Sequence, residues 1–545
     1  MSKTAWFRTP RGLVLAGVLV AAFVVGRQDP AVGQVAGDFN GDNRDDLAIG
    51  VLAEDVGSIQ AAGAVNVLYG RSGGLRPFGN QLWDQGNLGL PVTPEDNDRF
   101  GSALAAGDFD GDGFDDLAIG VPLESIGSVE AAGLVNVLYG APATGLTTVG
   151  AQSWHQNVGG VPGSVEERDF FGLSLAAGDF NNDGFDDLAI GVPLEGIGSN
   201  IEAGAVNVLY GGAAAGLTSV GAQIWHQNSG DVLGRAELGD QFGSSLAVGD
   251  FDNDGFDDLA IGVPLEGVGS IGAAGAVNVL YGAAGGLSDV RNQIWDQDAV
   301  QNKIAIRDVA ETGNQFGFSL AVGDFDNDGF DDLAIGVPGE DLSDGTGGTI
   351  IAAGAINVLY GTASGLSAAG NQFWHQNRRE NKIAVKQVAE ELDGFGWSLA
   401  AGDFDSDGFD DLAVGVPGEG LGTNFQAGAV NLLYGAAKGL NAKGNQIWHQ
   451  NIKGVREKAG VFDQFGSSLT VGRFDGGSHD DLAIGVPFES LSDGAGGAVS
   501  QAGAVNVLYG AGVGLTADGN QLWHQNRAGV LGVAEPGDLF GWALP

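Results

Sequence analysis

A nine-residue pattern crowded with acids recurs along the chain, and in its second copy the acids are Asp108, Asp110, Asp112, Asp115 and Asp116, with Gly113 at the sixth position. Carboxylates at positions one, three, five and nine, with the backbone carbonyl at seven, can bring five or six hard oxygens to one point, and glycine at six permits the sharp turn. Calcium accepts that irregular shell, whereas magnesium prefers a strict octahedron and keeps more of its water. The EF-hand is excluded: it needs Glu at position twelve and flanking helices, and position twelve here is Ile119 in an apolar run. Metal-free Asx turns are the plain alternative. Against them, four unneutralised carboxylates in one turn repel strongly.

Six copies are intact. Their candidate ligands are Asp38, Asn40, Asp42, Arg44 and Asp46; Asp108, Asp110, Asp112, Phe114 and Asp116; Asp179, Asn181, Asp183, Phe185 and Asp187; Asp250, Asp252, Asp254, Phe256 and Asp258; Asp324, Asp326, Asp328, Phe330 and Asp332; and Asp403, Asp405, Asp407, Phe409 and Asp411. Arg44 and the five phenylalanines stand at position seven and offer their carbonyls. The expected cofactor is calcium, about six ions. In the seventh copy Arg473 replaces the first acid and Gly477 the fifth-position one. No ion is expected there, and the guanidinium is expected to pair with Asp475 and Asp481 instead.

The loops sit in a larger repeat. All seven tyrosines, Tyr69, Tyr139, Tyr210, Tyr281, Tyr360, Tyr434 and Tyr509, share one place in an AG-x-[VI]-N-x-LYG phrase, and Trp83, Trp154, Trp225, Trp295, Trp374, Trp448 and Trp523 follow 14 or 15 residues later. The period is 70 to 79 residues. Within it, short runs of Val, Ile, Leu and aromatics are cut by Gly, Pro and Asp, with no helical periodicity. Four strands per repeat are expected, in the second repeat Ser102–Gly107, Asp116–Val121, Leu134–Tyr139 and Gln152–Gln156. The fold class is therefore all-β, a seven-bladed β-propeller of four-stranded antiparallel blades. Repeats start near residues 31, 100, 171, 242, 316, 395 and 465, most of them on a Phe-Gly pair, and the region 30–545 forms one propeller. Residues 540–545 begin an eighth copy, expected to close the ring on the first blade.

The Phe-Gly pairs, the acidic loops and the Ala-Ile-Gly-Val-Pro strands after them resemble the FG-GAP repeats of integrin α-subunit propellers, over essentially the whole chain past residue 30. The resemblance implies a seven-bladed propeller with calcium in blade loops, often extracellular and often serving adhesion or ligand binding. Most repeats here carry a full loop while integrins have fewer, so the chain looks more like a microbial secreted FG-GAP protein. The resemblance supplies no ligand.

Composition narrows the partners. The net charge is −45, and the six intact loops hold 28 of the 69 acidic residues. Nucleic acid and anionic membrane surfaces would be repelled. There is no cysteine, hence no disulfide, thiolate metal site or thiol nucleophile. Lys3, Arg8 and Arg11 precede an uncharged run from Gly12 to Gly26, which reads as a signal peptide over 1–26 or an N-terminal anchor, and so as a secreted or cell-surface protein; a monomer is expected.

Five of six histidines, His155, His226, His375, His449 and His524, follow the recurring tryptophan, where Asp84 and Asp296 stand in the other repeats. Repetition marks them as architectural, since an acid or base needs one special environment. The tryptophans are read as blade-to-blade packing. Glu54, Glu124, Glu195, Glu266, Glu340, Glu419 and Glu489 recur eight residues after each loop, as a ring of ligands or, more plainly, as caps on strand ends in solvent. No nucleophile or acid–base cluster stands out, so no enzyme is expected. The function expected is a calcium-binding extracellular binding or adhesion module for a protein or glycan. The alternatives are a structural surface or matrix component, or a propeller enzyme such as a polysaccharide lyase. Insertions of four or five residues fall between strands two and three and between strand four and the next blade. Lys303, Arg307, Arg378, Arg379, Lys382, Lys386, Lys453, Arg456 and Lys458 collect on three inter-blade connections. The ligand face is therefore expected opposite the calcium loops.

Overall fold

Each repeat folds into a small antiparallel sheet because its apolar runs are only four to eight residues long and end at Gly, Asp or a tight turn. In blade two the strands are Leu104–Gly107, Asp116–Val121, Leu134–Tyr139 and Thr147–Trp154, hydrogen-bonded in that order. The two middle strands are buried along their whole length and the outermost is half exposed, which is why the middle strands read as continuous apolar runs. The structure, a computed structural model, describes residues 36–545 apart from 90–91, 214–215, 302, 378, 381–382 and 493–495. The candidate signal peptide, Arg378 and Lys382 lie outside the described residues. Among the described residues there is no helix, and hence none long and apolar enough to cross a membrane.

The fourth strand differs from expectation. It runs Thr147–Trp154 rather than Gln152–Gln156, pairing Thr147 with Tyr139 across a bulge after Val137. Its first half alternates without a buried face, so it carries little apolar signal.

Blade one has three strands, Leu47–Val51, Ala64–Tyr69 and Arg76–Trp83. Its inner edge is occupied from two directions. Gly37 bridges Asp46, and Phe540 bridges Val51. The Gly541 N–H donates to the Gly50 carbonyl at 3.0 Å and the Gly50 N–H to the Ala543 carbonyl at 2.9 Å.

No blade has a core of its own; the apolar clusters lie between neighbours. Phe109, Val135, Tyr139 and Trp154 of blade two pack on Leu188, Ile190, Val192 and Leu217 of blade three. The same cluster recurs around the ring, and Leu47, Ile49 and Leu68 of blade one meet Phe474, Tyr509 and Trp523 of blade seven.

Two polar seams reinforce these cores. In the outer one, Gln152 Oε1 accepts from Tyr139 Oη at 2.8 Å and Trp154 Nε1 at 3.1 Å, while its Nε2 donates to the Leu217 carbonyl of the next blade at 3.0 Å. Leu217 N–H donates back to Tyr139 Oη at 3.1 Å. The recurring Tyr and Trp thus flank one glutamine that reaches the neighbouring blade. Between blades seven and one, Gln521 Nε2 donates to the Leu75 carbonyl at 3.2 Å.

The second seam lies at the other end of the strands. Gln85, just after the outermost strand of blade one, donates to Glu124 of blade two, between that blade's second and third strands, at 2.6 Å. The pairs Gln156–Glu195, Gln227–Glu266, Gln297–Glu340, Gln376–Glu419, Gln450–Glu489 and Gln525–Glu54 repeat it. These glutamates are staples between blades. Neither expected role, ligand ring or solvent-facing cap, describes them: Glu124, Glu195, Glu340, Glu419 and Glu489 are buried.

Burial pushes Glu124 up to about 7 and the neighbouring Asp98 up to about 6, and Glu489 reaches about 8. A carboxyl whose folded pKa lies above its unfolded value binds more protons folded than unfolded in the window between, so its contribution is fully present below the unfolded value of 4.5 and is lost as pH rises towards 8. The melting temperature in calcium-free buffer should therefore fall by several degrees as pH rises from about 5 to about 8. Glu124→Gln, which keeps an acceptor for Gln85, should flatten that slope.

Candidate metal centres

In blades two to seven the acidic loop follows the innermost strand and ends on the second, and in blade one it follows the Gly37–Asp46 bridge. In blade two, Asp108 organises it: Oδ1 accepts the N–H groups of Gly111 at 2.8 Å and Asp112 at 3.1 Å, and Oδ2 that of Gly113 at 2.9 Å. Gly113 sits at φ +88, a left-handed conformation that glycine adopts without strain. The loop of blade one fills this position with Asn43 at φ 60, a residue type that tolerates it.

Asp116, at position nine, ties the loop to the third strand by accepting the Gly140 N–H at 2.8 Å and the Phe109 N–H at 3.0 Å. One carboxylate oxygen from each of Asp108, Asp110 and Asp116 lies within 4.8 Å of the others, and the same holds for Asp324, Asp326 and Asp332 and for Asp403, Asp405 and Asp411. In blade four the converging trio is Asp250, Asp252 and Asp254. In blades one and three an amide stands at position three: Asn40 Nδ2 donates to Asp46 at 2.9 Å and Asn181 Nδ2 to Asp187 at 3.5 Å. Turning either amide over presents its oxygen in place of its nitrogen.

These acids converge without enough positive charge around them. Burial, reinforced by neighbouring carboxylates, pushes Asp116, Asp258, Asp332 and Asp411 up to about 9, and Asp46 and Asp187 up to about 8. Buried oxygens at position three, Asn181 Oδ1, Asp326 Oδ1 and Asp405 Oδ1, accept no hydrogen bond. Orphaned hard oxygens beside carboxylates that resist ionisation fit a divalent oxygen-seeking cation.

Position eight carries a role the sequence reading passed over. Asp186 turns away from its own loop and accepts the Asp108 N–H of the preceding blade at 2.9 Å. Asp115, Asp257, Asp331, Asp410 and Asp480 do the same for Asp38, Asp179, Asp250, Asp324 and Asp403. Asp45 closes the ring by accepting the Arg473 N–H at 2.7 Å. Several of these acids line a central cavity of about 300 Å³. Close approach is required there: a Cβ on Gly107 would meet Asp186 Oδ2 at 2.8 Å. The Asp-Asp pair of each loop thus divides its work, the second acid serving its own loop and the first the joint between blades.

The seventh loop departs from expectation. The Arg473 guanidinium lies 2.8 Å from Asp480 Oδ1, not on Asp475 or Asp481. Its backbone N–H already serves Asp45, so the side chain leaves beside the position-eight acid of its own loop. Asp475 Oδ1 accepts the Gly477 N–H and Asp481 Oδ1 the Gly510 N–H.

The histidines after tryptophan have a local task. His155, His226 and His449 each accept, through Nδ1, the N–H two residues on, at 3.1 to 3.2 Å. Asp84 and Asp296 accept the equivalent N–H at 2.8 Å. Histidine and aspartate interchange because both close the same turn, and burial lowers the pKa of those three histidines so that Nδ1 stays free to accept.

The FG-GAP repeat family matches residues 100–138, 171–209, 242–280, 316–352 and 395–432. These five segments are FG-GAP repeats. Integrin alpha-5 of Xenopus laevis is 31% identical to it over 287 residues, covering 51% of this chain and 23% of the integrin. Integrin alpha-V of Gallus gallus is 30% identical over 254 residues, covering 46% and 21%. Phosphatidylinositol-glycan-specific phospholipase D of Rattus norvegicus is 34% identical over 167 residues, covering 31% and 18%. The matches thus span less than a quarter of each relative. Among solved structures, a Bacillus licheniformis rhamnogalacturonan lyase covers 76% of this chain and 74% of its own at 13% identity, with a TM-score of 0.32, a likeness that carries no argument about function.

The FG-GAP loops and the seam between them separate by mutation. Asp186→Ala removes the acceptor of the Asp108 N–H and should cost about 1–3 kcal/mol, read as a lower denaturant midpoint. Asp186→Asn, whose Oδ1 still accepts, should retain most of it.

Proposed function

We propose that this FG-GAP propeller is a calcium-stabilised extracellular binding module of the adhesion type, whose partner docks on the face opposite the acidic loops. The observation that carries the calcium reading is the convergence of under-neutralised carboxylates in four loops of one ring, together with the buried position-nine acids Asp46 and Asp187 that burial pushes up in two more. Asp108, Asp110, Asp112 and Asp116 with the Phe114 carbonyl, and their equivalents, would hold the ions. Each ion supplies two positive charges to a cluster that burial alone leaves reluctant to ionise. The seventh loop lacks the first and fifth acids, and six ions are the expected complement.

The meander supports the choice of partner face. The Gln85–Glu124 contact joins a connection to the next blade with a connection between strands two and three, so both lie at the end of the strands away from the acidic loops. The length insertions lie there as two-stranded ribbons: Val300–Gln301 with Ile304–Ala305, Leu342–Ser343 with Thr349–Ile350, Arg379–Glu380 with Ile383–Ala384, and Leu491–Ser492 with Ala498–Val499. Lys303, Arg307, Lys386, Lys453, Arg456 and Lys458 are exposed on the inter-blade connections. Variable loops on a rigid frame are where binding is usually built, and a local basic rim on an acidic protein steers acidic groups towards it.

Two measurements test this. In millimolar calcium the metal-stripped chain should melt at a higher temperature than in chelator, because an ion bound only by the folded state stabilises it by mass action; superimposed curves would sink the calcium reading. Acidic glycans and extracellular proteins arrayed in calcium and in chelator should include a binder, and Lys453→Glu with Arg456→Glu and Lys458→Glu should weaken it while calcium uptake is unchanged. Undiminished binding would move the partner to another face.

A further inference from the structure

The loops of blades four and five are identical over all nine positions, Asp250 to Asp258 and Asp324 to Asp332, yet they are arranged differently. In blade five the converging oxygens come from positions one, three and nine; in blade four they come from one, three and five. Asp252 is 6% exposed, the one buried side chain among the six position-three residues, whereas Asp326 is partly exposed. Equal sequences in unequal arrangements point to something outside the loop.

The difference lies on the outermost strand. Six repeats carry a glycine two residues before the glutamine of the tyrosine seam, namely Gly79, Gly150, Gly221, Gly370, Gly444 and Gly519, all with φ between 80 and 84. Blade four has Arg291 there at φ 66, in the left-handed region that side-chain-bearing residues avoid. Its Nη2 lies 2.7 Å from Asp252 Oδ2 and 3.8 Å from Asp254 Oδ2, and its guanidinium carbon stands 5.1 Å from the Tyr281 ring centroid. The Arg291 side chain is 48% exposed, so it has solvent to swing into. Apart from this guanidinium, neither oxygen of Asp252 has a hydrogen-bond partner.

We propose that Arg291 is a tethered counter-ion competing with the dissolved cation for the loop of blade four, which makes that loop a weak calcium site beside its tight twin in blade five. The inference rests on the calcium reading above. Both positive charges answer the same acids, and Asp252 gives up its partner before it can serve as a ligand. Swinging the arginine out lowers the apparent affinity without altering any ligand. The blade-four loop then fills only after the others and responds to calcium over a higher range of concentration.

The test is a calcium titration of the metal-stripped full chain by calorimetry, with ion counts from native mass spectrometry. The wild type should show one ion bound about tenfold or more weakly than the tight class. Arg291→Gly, which restores the residue the other repeats carry, should move that ion into the tight class without changing the total, and Asp252→Ala in that background should remove it. Gly370→Arg should move one ion of blade five the other way. An Arg291→Gly isotherm that superimposes on the wild type overturns the proposal and leaves the calcium reading standing. A wild type that takes up no calcium at millimolar concentration overturns both.

Discussion

Contact between neighbouring blades is the interaction on which everything else in this molecule depends. A blade is a four-stranded sheet with apolar residues on both faces, and it buries them only against the blades on either side. Phe109, Tyr139 and Trp154 of blade two share one cluster with Leu188, Ile190 and Val192 of blade three. Stability is therefore shared around a closed ring, and the polar seams decide where each joint sits. Hydrophobic area alone would let blades slide on one another. Three directional hydrogen-bonded staples per joint, at the outer rim, at the glutamate end and at the channel, prevent it.

The channel staple places the cost of holding blades together beside the loops. A carboxylate makes a strong acceptor for a backbone N–H, but seven of them around one axis repel. Burial holds Asp186, Asp331 and Asp410 up to about 6. The same nine-residue segment thus carries two sets of acids, one facing the next blade and one facing its own loop. In blade seven Arg473 relieves the set facing the next blade, lying on Asp480 and donating its backbone N–H to Asp45. Positive charge is scarce in this chain and is spent where acids crowd.

The period, the strand count and the acidic loops were readable in the sequence because each rests on local chemistry: apolar runs cut by turn formers, and oxygen donors at fixed spacing. The seams were not, although their residues recur as strictly as the loops. Asp186 and Asp187 are adjacent and chemically identical, and only the opposite directions that successive residues take where the strand begins assign them different partners. The glutamates were misread for a related reason. A carboxylate beside a turn looks solvent-facing until the glutamine that covers it, some 39 residues earlier in the chain, is brought alongside. Arg473 stood out in the sequence as a break in the loop pattern, but its pairing with Asp480 depends on a backbone bond to a residue 428 positions away. The interchange of His155 with Asp84 was visible as a pattern and lacked a cause until the turn they both close was in view.

The seven joints share one chemistry but not one separation along the chain. Six of the channel staples join residues 77 to 86 apart, while the one between blades seven and one joins residues 428 apart. Bringing ends together across the longer span costs about 1.5 kcal/mol more chain entropy for the same hydrogen bond. The last joint is therefore the clasp of a bracelet: the links are equal, but this one is fastened against the greatest freedom of the chain.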